Sequence, residues 1–387
     1  MAISPKEITA LLDGPYAGNI PDYRDLPKDP VRRVSLLKKE GVPQDSIRGL
    51  LELSELRFRA RFKFSRASEM FFDREALEQS TGENVAKWRA ERFRGFSSVA
   101  DLTCGIGGDT AALAGVTKVF AQDVDYHRVR MAEANAEVYQ VFQNVTFRDA
   151  PAEEYPNAEA LFIDPSRRDA GRRSRFFSTL SPHIDSIRDI LRAFPNAGLK
   201  LSPAAPDEEL RTLGGSLEFV SLEGVCRETI VWYGKLARSG RRAIILPQNI
   251  EVGTDTHAPA PEISEARKYL LEPDPAVIRA GCIPQVCQML NAAVMDPRIA
   301  YLTSDELPKS PLASGWEILA SMPFNVKHLR PVLQEMGVGQ VEVKKRGSTV
   351  EVDSIRDVLT SRRLPGRAVV VLTRINNRAW SLICKAK

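Results

Sequence analysis

Hydrophobic positions in the middle of the chain alternate between the spacing of strands and the spacing of helices. The apolar runs SSVADL, KVFAQDV, VTFRD and ALFID predict strands, and GGDTAALAG and YHRVRMAEANAEVYQ predict helices between them. Strands that alternate with helices in this way indicate an α/β fold with a doubly wound parallel sheet. Further strands are predicted at AGLKLS, LEFVSLEG, ETIVWYG and RAIILP. The last three of these are expected to be antiparallel at one edge of the sheet.

The chain before the sheet has a helical pattern. The spacing of apolar positions in residues 1–67 predicts helices. The last segment of this region, LRFRARFKF, alternates apolar and basic residues. Strict alternation also suits a strand with one basic face, but the preceding LLELSEL favours a helix. Ser80-Thr81-Gly82-Glu83 matches a capping box, which predicts that these residues open the helix ENVAKWRAERF.

The chain after the sheet predicts a second folded region. Prolines are frequent between residues 251 and 285, which indicates a domain boundary. A strand–helix–strand–helix pattern follows and ends in a hairpin across Asn376-Asn377, two residues that tolerate positive φ. The predicted organisation is a helical region at 1–67, a doubly wound domain at 68–250, a linker at 251–310 and a small α/β domain at 311–387.

Composition narrows the classes of protein. The chain has 387 residues and a net charge of +4, which is compatible with an anionic partner. No apolar run is long enough to cross a bilayer, and the N-terminus lacks the pattern of a signal peptide. The five scattered cysteines and four histidines do not have the spacing of a metal site. We therefore expect a reduced, cytoplasmic protein that binds no metal and no membrane, of undetermined oligomeric state.

A glycine-rich turn joins the first strand of the sheet to its helix. Strand VADL runs into TCGIGGDT, where Gly105, Gly107 and Gly108 allow close approach of the backbone to a ligand in front of a helix N-terminus. Such a turn suits a dinucleotide, a mononucleotide or S-adenosylmethionine. The dinucleotide fingerprint requires a glycine at position 110, which is Thr110.

Aspartates follow successive strands of this sheet. Asp101 lies in the glycine turn, Asp123 with Asp125 ends the second strand, and Asp149 ends the third. The carboxyl ends of parallel strands share one edge, so these side chains can face a single ligand. A carboxylate after the second strand can accept hydrogen bonds from ribose hydroxyls, and Asp149 could meet an adenine amino group.

The ordered series DLTCGIGGDT, FAQDVDYHRVRMAEANAEVY, FRDA and FIDPSRR resembles the class I S-adenosylmethionine-dependent methyltransferases, in particular the trimethylguanosine synthase-like branch. LEQSTGENVAKWRAERF, EPDPAVIRAG and VEVKKRG are similar to bacterial methyltransferases that carry a THUMP-like C-terminal domain. The resemblance covers about residues 65–387. It implies a Rossmann-like methyltransferase sheet with a helical N-terminal extension and a small α/β C-terminal domain.

The resemblance also implies roles for individual residues. Asp101, Gly105 and Gly107 would surround the methionine moiety of S-adenosylmethionine. The ribose and the adenine would be bound by Asp123, Asp125, Asp149 and the backbone of Ala150. Ser80 and Thr81 would help to hold the carboxylate of the cofactor, with simple N-capping as the alternative role of Ser80.

Asp164-Pro165 marks the expected acceptor site. Methyltransferases that act on nitrogens often end the fourth strand in Asp/Asn-Pro-Pro-aromatic, where the acid and a backbone carbonyl orient the amine. Here Ser166 replaces the second proline and Arg167 replaces the aromatic residue, which weakens the case for a nucleobase nitrogen. Covalent C5 chemistry is disfavoured because the segment LKLSPAAP, at the end of the fifth strand, has no cysteine.

The arginines that follow predict an anionic substrate. Arg167 could stack on a base or bind a phosphate, and Arg168, Arg172 and Arg173 extend the basic loop. Pairing with local aspartates is the alternative. Together with Asp164 and the absence of a cysteine after the fifth strand, these arginines favour an RNA methyltransferase acting on a base nitrogen rather than C5. A methyltransferase of a small phosphorylated molecule and a non-catalytic protein that binds S-adenosylmethionine and RNA are the alternatives.

Overall fold

The computed structural model describes residues 4–14, 20–167, 176–361 and 363–386. The chain forms two compact units, the first from residues 1–216 with 229–238 and the second from residues 217–228 with 239–387. In the described ranges, no helix is both long and apolar enough to cross a membrane.

The first unit begins with a series of helices, three of which start at side-chain caps. Ser4 and Glu7 form a capping box at the first helix, and Asp29 and Asp73 cap the second and the fourth. The apolar faces of the first four helices pack into one core that also contains Ile106 of the glycine turn, so this helical region lies against that turn. These helices are α1 (Pro5–Asp13), α2 (Pro30–Lys39), α3 (Gln44–Ala60), α4 (Arg74–Gln79) and α5 (Glu83–Ala90).

Two predictions for this helical region have different outcomes. Helix α3 includes the segment LRFRA, so the helix predicted for the first part of LRFRARFKF is confirmed. The capping box at Ser80–Glu83 is wrong: Gly82 is the N-cap of α5 and has no side-chain cap, whereas Ser80 ends α4. The Glu83 carboxylate instead accepts hydrogen bonds from the Ser65 backbone and hydroxyl, so it is not bonded to the Ser80 backbone as a capping box requires.

A parallel sheet forms the centre of the first unit, as predicted. Its strands follow the order β7-β4-β1-β2-β3, and all four pairings are parallel. The chain leaves β1 in one direction through β2 and β3 and returns on its other side with β4, which creates a crevice at the carboxyl ends of β1 and β4. The elements are β1 (Ser98–Asp101), α6 (Gly108–Ala114), β2 (Lys118–Asp123), α7 (Tyr126–Val138), β3 (Val145–Asp149), β4 (Ala160–Ile163), β5 (Ser166–Arg167), β6 (Leu180–Ser181), α8 (Ile184–Ala193), β7 (Ala197–Leu201) and α9 (Asp207–Arg211).

The strands after α9 correct one prediction. They are β8 (Ser216–Leu222), β9 (Val225–Tyr233), β10 (Arg241–Leu246) and β11 (Ile250–Gly253). β9 is antiparallel to β7, whereas β10 runs parallel to β8, so the expectation that the last three predicted strands are antiparallel is wrong for β10. The chain reverses after β8 and again after β9, and two reversals restore the direction of β8.

The rest of the second unit contains a mixed sheet in which β16 and β17 are parallel and helices pack on one part of it. Its elements are β12 (Tyr269–Pro273), α10 (Pro275–Ala280), α11 (Ile283–Leu290), β13 (Ala293–Asp296), β14 (Ile299–Ser304), β15 (Ala313–Pro323), α12 (Val326–Glu335), β16 (Val338–Lys345), α13 (Val352–Leu359), β17 (Gly366–Ile375) and β18 (Arg378–Lys385).

The C-terminal pattern matches the structure closely. The strand–helix–strand–helix–hairpin order is confirmed, and Asn376 and Asn377 both have positive φ in the turn between β17 and β18. Residues 251–310, expected to be a linker, contain two helices and several strands. The three predicted domain boundaries stay predictions.

Candidate active site

Two glycines of the turn after β1 have different surroundings. Gly107 has φ +82°, and a Cβ atom there would lie 3.0 Å from Ala132 of α7, so only glycine fits this approach. Gly105 has φ +54°, but a Cβ atom there would meet no atom within 4 Å. The backbone at Gly105 therefore faces open space at the carboxyl end of β1.

Asp101 is a buried acid at this end of β1. Its carboxyl group is 1% exposed; Oδ2 accepts a 2.6 Å hydrogen bond from the Thr110 hydroxyl, and buried Oδ1 has no hydrogen-bond partner among the described residues. Burial, with a further contribution from the nearby Asp109 carboxylate, raises the pKa of Asp101 to about 7. A buried carboxyl oxygen without a partner is unusual in a folded protein, and a bound ligand is one explanation for it.

The next two strands place the other predicted acids along the same edge. Asp123 accepts hydrogen bonds from the N–H groups of Gly105 and Asp125, each at 3.0 Å. Asp125 itself caps α7 by accepting from the His127 and Arg128 backbones. Asp149 lies opposite Asp123 in the β2–β3 register and is exposed. The Ala150 N–H donates to the Asp123 carbonyl at 3.0 Å.

Ser80 and Thr81 differ in their surroundings. The Ser80 hydroxyl donates to the Leu77 carbonyl and helps to end α4. The Thr81 hydroxyl is buried, donates to the Asp109 carboxylate at 3.1 Å and accepts from the Lys200 ammonium at 2.7 Å. Thr81 therefore belongs to a polar network beside the glycine turn, whereas Ser80 is a helix-ending residue.

Asp164 lies immediately after β4, two residues beyond Phe162, which is the register partner of Asp101 on β1. Its N–H donates to the Thr103 hydroxyl at 2.8 Å, and its Oδ2 accepts from the Lys200 ammonium. The side chain is 29% exposed, and Pro165 is buried. Sequence reasoning missed Lys200, although a lysine within the apolar strand AGLKL was a usable signal.

The predicted basic loop is described only in part. The backbone of Arg167 pairs with Leu180 in the short ribbon of β5 and β6. Arg168, Arg172 and Arg173 lie outside the described residues, so their substrate-binding role stays a prediction.

The cysteines offer little nucleophilic character. Burial raises the pKa of the Cys104 thiol well above its ordinary value, and it raises the pKa values of Cys226 and Cys384 to about 12. A thiol held in its protonated form is a poor nucleophile, which supports the inference against covalent C5 methylation. Within the described part of the chain, no three His, Cys, Asp or Glu side chains gather as metal ligands.

Comparison with known proteins identifies the chain. An uncharacterized S-adenosylmethionine-dependent methyltransferase of Mycobacterium tuberculosis is 34% identical over 337 residues, which span 84% of this chain and 92% of the relative. The chain belongs to the S-adenosylmethionine-dependent methyltransferases. The family model of the RNA cap guanine-N2 methyltransferases matches residues 96–168 of this methyltransferase, and that of the THUMP-like domain matches residues 313–386.

A solved structure shows the same fold. The crystal structure of a candidate methyltransferase from Porphyromonas gingivalis W83 aligns with a TM-score of 0.75 and 19% identity, covering 100% of both chains. The Rossmann-like sheet with added domains, predicted from the sequence, is therefore confirmed for the methyltransferase.

S-adenosylmethionine is the cofactor of this methyltransferase, and the strand-end residues fit it. Gly105 faces open space, the buried Oδ1 of Asp101 has no partner among the described residues, and Asp123 presents a carboxylate already oriented by two backbone N–H groups. A carboxylate suits the cationic part of this cofactor, and an oriented acid after the second strand suits its ribose.

Proposed function

We propose that this methyltransferase methylates RNA, at a base nitrogen rather than at pyrimidine C5, with Asp164 orienting the acceptor. The observation that carries the proposal is the position of Asp164, one strand away from Asp101 at the same sheet edge. An acceptor held there would lie at the same edge of the sheet as the glycine turn. The matches to an RNA cap guanine-N2 methyltransferase family and to a THUMP-like domain support RNA as the substrate.

We assign the cofactor to the first three strand ends. S-adenosylmethionine supplies the methyl group when bound. Asp101, Gly105 and Gly107 would lie along its methionine moiety, Asp123 and Asp125 beside its ribose, and Asp149 and Ala150 beside its adenine. Thr81, with Ser80 preceding it, would lie near its carboxylate.

At the position of the methyl-accepting nitrogen, the protein would need to supply little covalent chemistry. Asp164 would accept a hydrogen bond from the amine N–H, assisted by the Pro165 carbonyl, which directs the nitrogen lone pair toward the methyl group. Positioning of this kind supplies much of the rate enhancement in a displacement reaction. The methylated nitrogen then loses one proton to solvent.

The basic segment after β5 would bind the phosphate backbone. Arg167, Arg168, Arg172 and Arg173 lie directly after Asp164-Pro165 in the sequence and would hold an RNA strand next to the acceptor. Substitution of both Arg167 and Arg168 by Glu should raise the KM for RNA most strongly at low salt, and the difference from the unaltered protein should narrow as salt screens these charges. A KM for RNA that is insensitive to salt in the unaltered protein would contradict phosphate contacts.

The test of the function is a methyl-transfer assay on RNA from cells that lack this protein. We would incubate the purified protein with S-adenosylmethionine carrying a labelled methyl group and then treat half of each sample with ribonuclease. The proposal expects label that ribonuclease removes and that the Asp164→Ala variant does not produce. Asp255→Ala is the matched control, because Asp255 is 30% exposed and also pairs with a basic residue, Arg242.

The other outcomes distinguish the alternatives. Label in small phosphorylated molecules but not in RNA would make a small phosphorylated molecule the substrate. Cofactor binding without label in any pool would indicate a non-catalytic protein. Label in RNA at pyrimidine C5, located by nucleoside analysis, would reject the nitrogen assignment alone.

A further inference from the structure

Lys200 is a lysine on a buried strand of the sheet. Its neighbours on β7, Leu199 and Leu201, are buried, and its own side chain is 12% exposed. Lysines are almost never this buried unless their ammonium group is paired. The position of Lys200 therefore requires a partner within the fold.

The ammonium group of Lys200 joins two parts of the site. It donates to Oδ2 of Asp164, and it donates to the Thr81 hydroxyl at 2.7 Å. Thr81 in turn donates to Asp109, which forms an ion pair with the buried Arg89. The Asp164 carboxylate, just after β4, is thus connected to the segment before α5 and to the first turn of α6.

The charges along this network alternate. Asp164 is negative, Lys200 positive, Asp109 negative and Arg89 positive. Asp101 is the other acid nearby, and both Asp109 and Asp164 raise its pKa by repulsion. The Lys200 ammonium supplies a positive charge in direct contact with one of these three acids, Asp164.

This contact matters because a carboxylic acid and a carboxylate have opposite hydrogen-bonding roles. An ionised carboxyl group only accepts hydrogen bonds, whereas a protonated one also donates. Only the ionised form of Asp164 offers both oxygens as acceptors toward an amine N–H. Because Oδ2 is bonded to Lys200, Oδ1 is the oxygen available to the amine of the methyl-accepting substrate.

We propose that Lys200 is a positioning residue of the methyl-transfer site: it holds Asp164 as an oriented carboxylate and ties it to the Thr81 segment. The inference rests on the proposed role of Asp164 in orienting the acceptor. Lys200 acts through Asp164 and Thr81.

The test compares Lys200→Met with the conservative Lys200→Arg variant. Methionine keeps most of the volume of the side chain and removes its charge. We expect turnover of Lys200→Met to fall by about 10²-fold and the acidic limb of its rate profile to move to higher pH. Lys200→Arg keeps the ion pair and should retain the pH profile of the unaltered protein.

Arg242→Met is the matched control, because Arg242 is 16% exposed and pairs with Asp255 in the second unit. This variant should keep both turnover and pH profile. A Lys200→Met variant with unchanged turnover and an unchanged acidic limb would overturn the inference.

A substrate-free measurement separates the inference from the proposed function. In protein labelled with ¹³C at aspartate carboxyl groups, the Asp164 resonance is assigned as the one missing from Asp164→Asn. We expect this resonance to move in Lys200→Met and to stay in place in Arg242→Met, because only the first variant removes the ammonium group bonded to Oδ2 of Asp164. An unchanged resonance in Lys200→Met overturns the inference even if RNA is methylated, and a moved resonance supports it even if the substrate is not RNA.

Discussion

Two acids at the ends of adjacent strands, Asp101 as the last residue of β1 and Asp164 just after β4, lie in contrasting environments. Asp101 is buried, is bonded to the neutral hydroxyl of Thr110, and has a pKa raised to about 7. Asp164 is 29% exposed and is bonded to the charged ammonium of Lys200. Two adjacent strands therefore end in one acid with a neutral partner and one acid with a cationic partner.

The difference indicates how one edge of the sheet could bind two ligands, the cofactor and the methyl-accepting substrate. One oxygen of the buried acid has no hydrogen-bond partner among the described residues. Because its pKa is raised, this acid can change its ionisation when a cation binds nearby. An acid paired with a lysine keeps its charge and its orientation. Environment, not residue type, distinguishes the two aspartates, and each prediction below tests a part of that contrast.

The largest expected effect separates turnover from cofactor binding. Asp164→Ala should lower turnover by about 10²–10³-fold, because the acceptor loses its orienting carboxylate, while cofactor affinity changes by less than about threefold. Methyl-transfer kinetics and calorimetry with S-adenosylmethionine measure the two effects. A loss of affinity as large as the loss of turnover would place Asp164 on the cofactor side of the site.

The second prediction tests the cofactor side. Asp123→Ala removes a carboxylate held by Gly105 and Asp125, and we expect affinity for S-adenosylmethionine to fall by about 10–100-fold through lost hydrogen bonds to the ribose. Calorimetry would measure this, with Asp255→Ala as the control for a partly exposed aspartate elsewhere. An affinity unchanged by Asp123→Ala would remove this residue from the cofactor site.

The third prediction contrasts the two glycines of the turn. Gly107→Ala should lower the free energy of unfolding by about 2–3 kcal/mol, because it combines a left-handed backbone with a Cβ atom 3.0 Å from Ala132. Gly105→Ala should cost only about 1 kcal/mol, because its Cβ atom would enter open space. Denaturant unfolding measures both.

The same pair of variants also tests the ligand position. Gly105→Ala should weaken cofactor binding despite its small effect on stability, because its methyl group fills the space assigned to the cofactor. Normal cofactor affinity in Gly105→Ala would mean that this space is not the cofactor site.

The smallest effect concerns the ionisation of Asp101. Its folded pKa of about 7 lies above the ordinary 3.8, so its contribution to the stability of the unliganded protein is complete below about pH 4 and is lost as the pH rises to 7. A cationic cofactor favours the ionised form. Binding should therefore release up to about one proton below pH 7, and affinity should rise with pH and level off above about pH 8.

Calorimetry in two buffers with different ionisation enthalpies measures this proton release. The Asp101→Asn variant should release none, because its amide does not titrate. Equal proton release from Asp101→Asn and the unaltered protein would show that another group is responsible.

Local patterns in the sequence determined much of this architecture. Hydrophobic periodicity predicted the alternating strands and helices, the helix at α3 and the C-terminal hairpin, because each depends on residues close together in the chain. The glycine turn and the acids after β1, β2, β3 and β4 were also recognisable, since strand ends and turns have characteristic residues. The parallel order of the sheet then brought those acids to one edge.

Tertiary structure alone decided which partners these residues have. Lys200 contacts Asp164 across 36 positions of the chain and Thr81 across 119, and no local pattern encodes contacts of that range. The capping box at Ser80 failed because Glu83 bonds to Ser65, and the direction of β10 depended on two chain reversals. The raised pKa of Asp101 likewise arises from burial, which is a property of the packed fold and not of the residue.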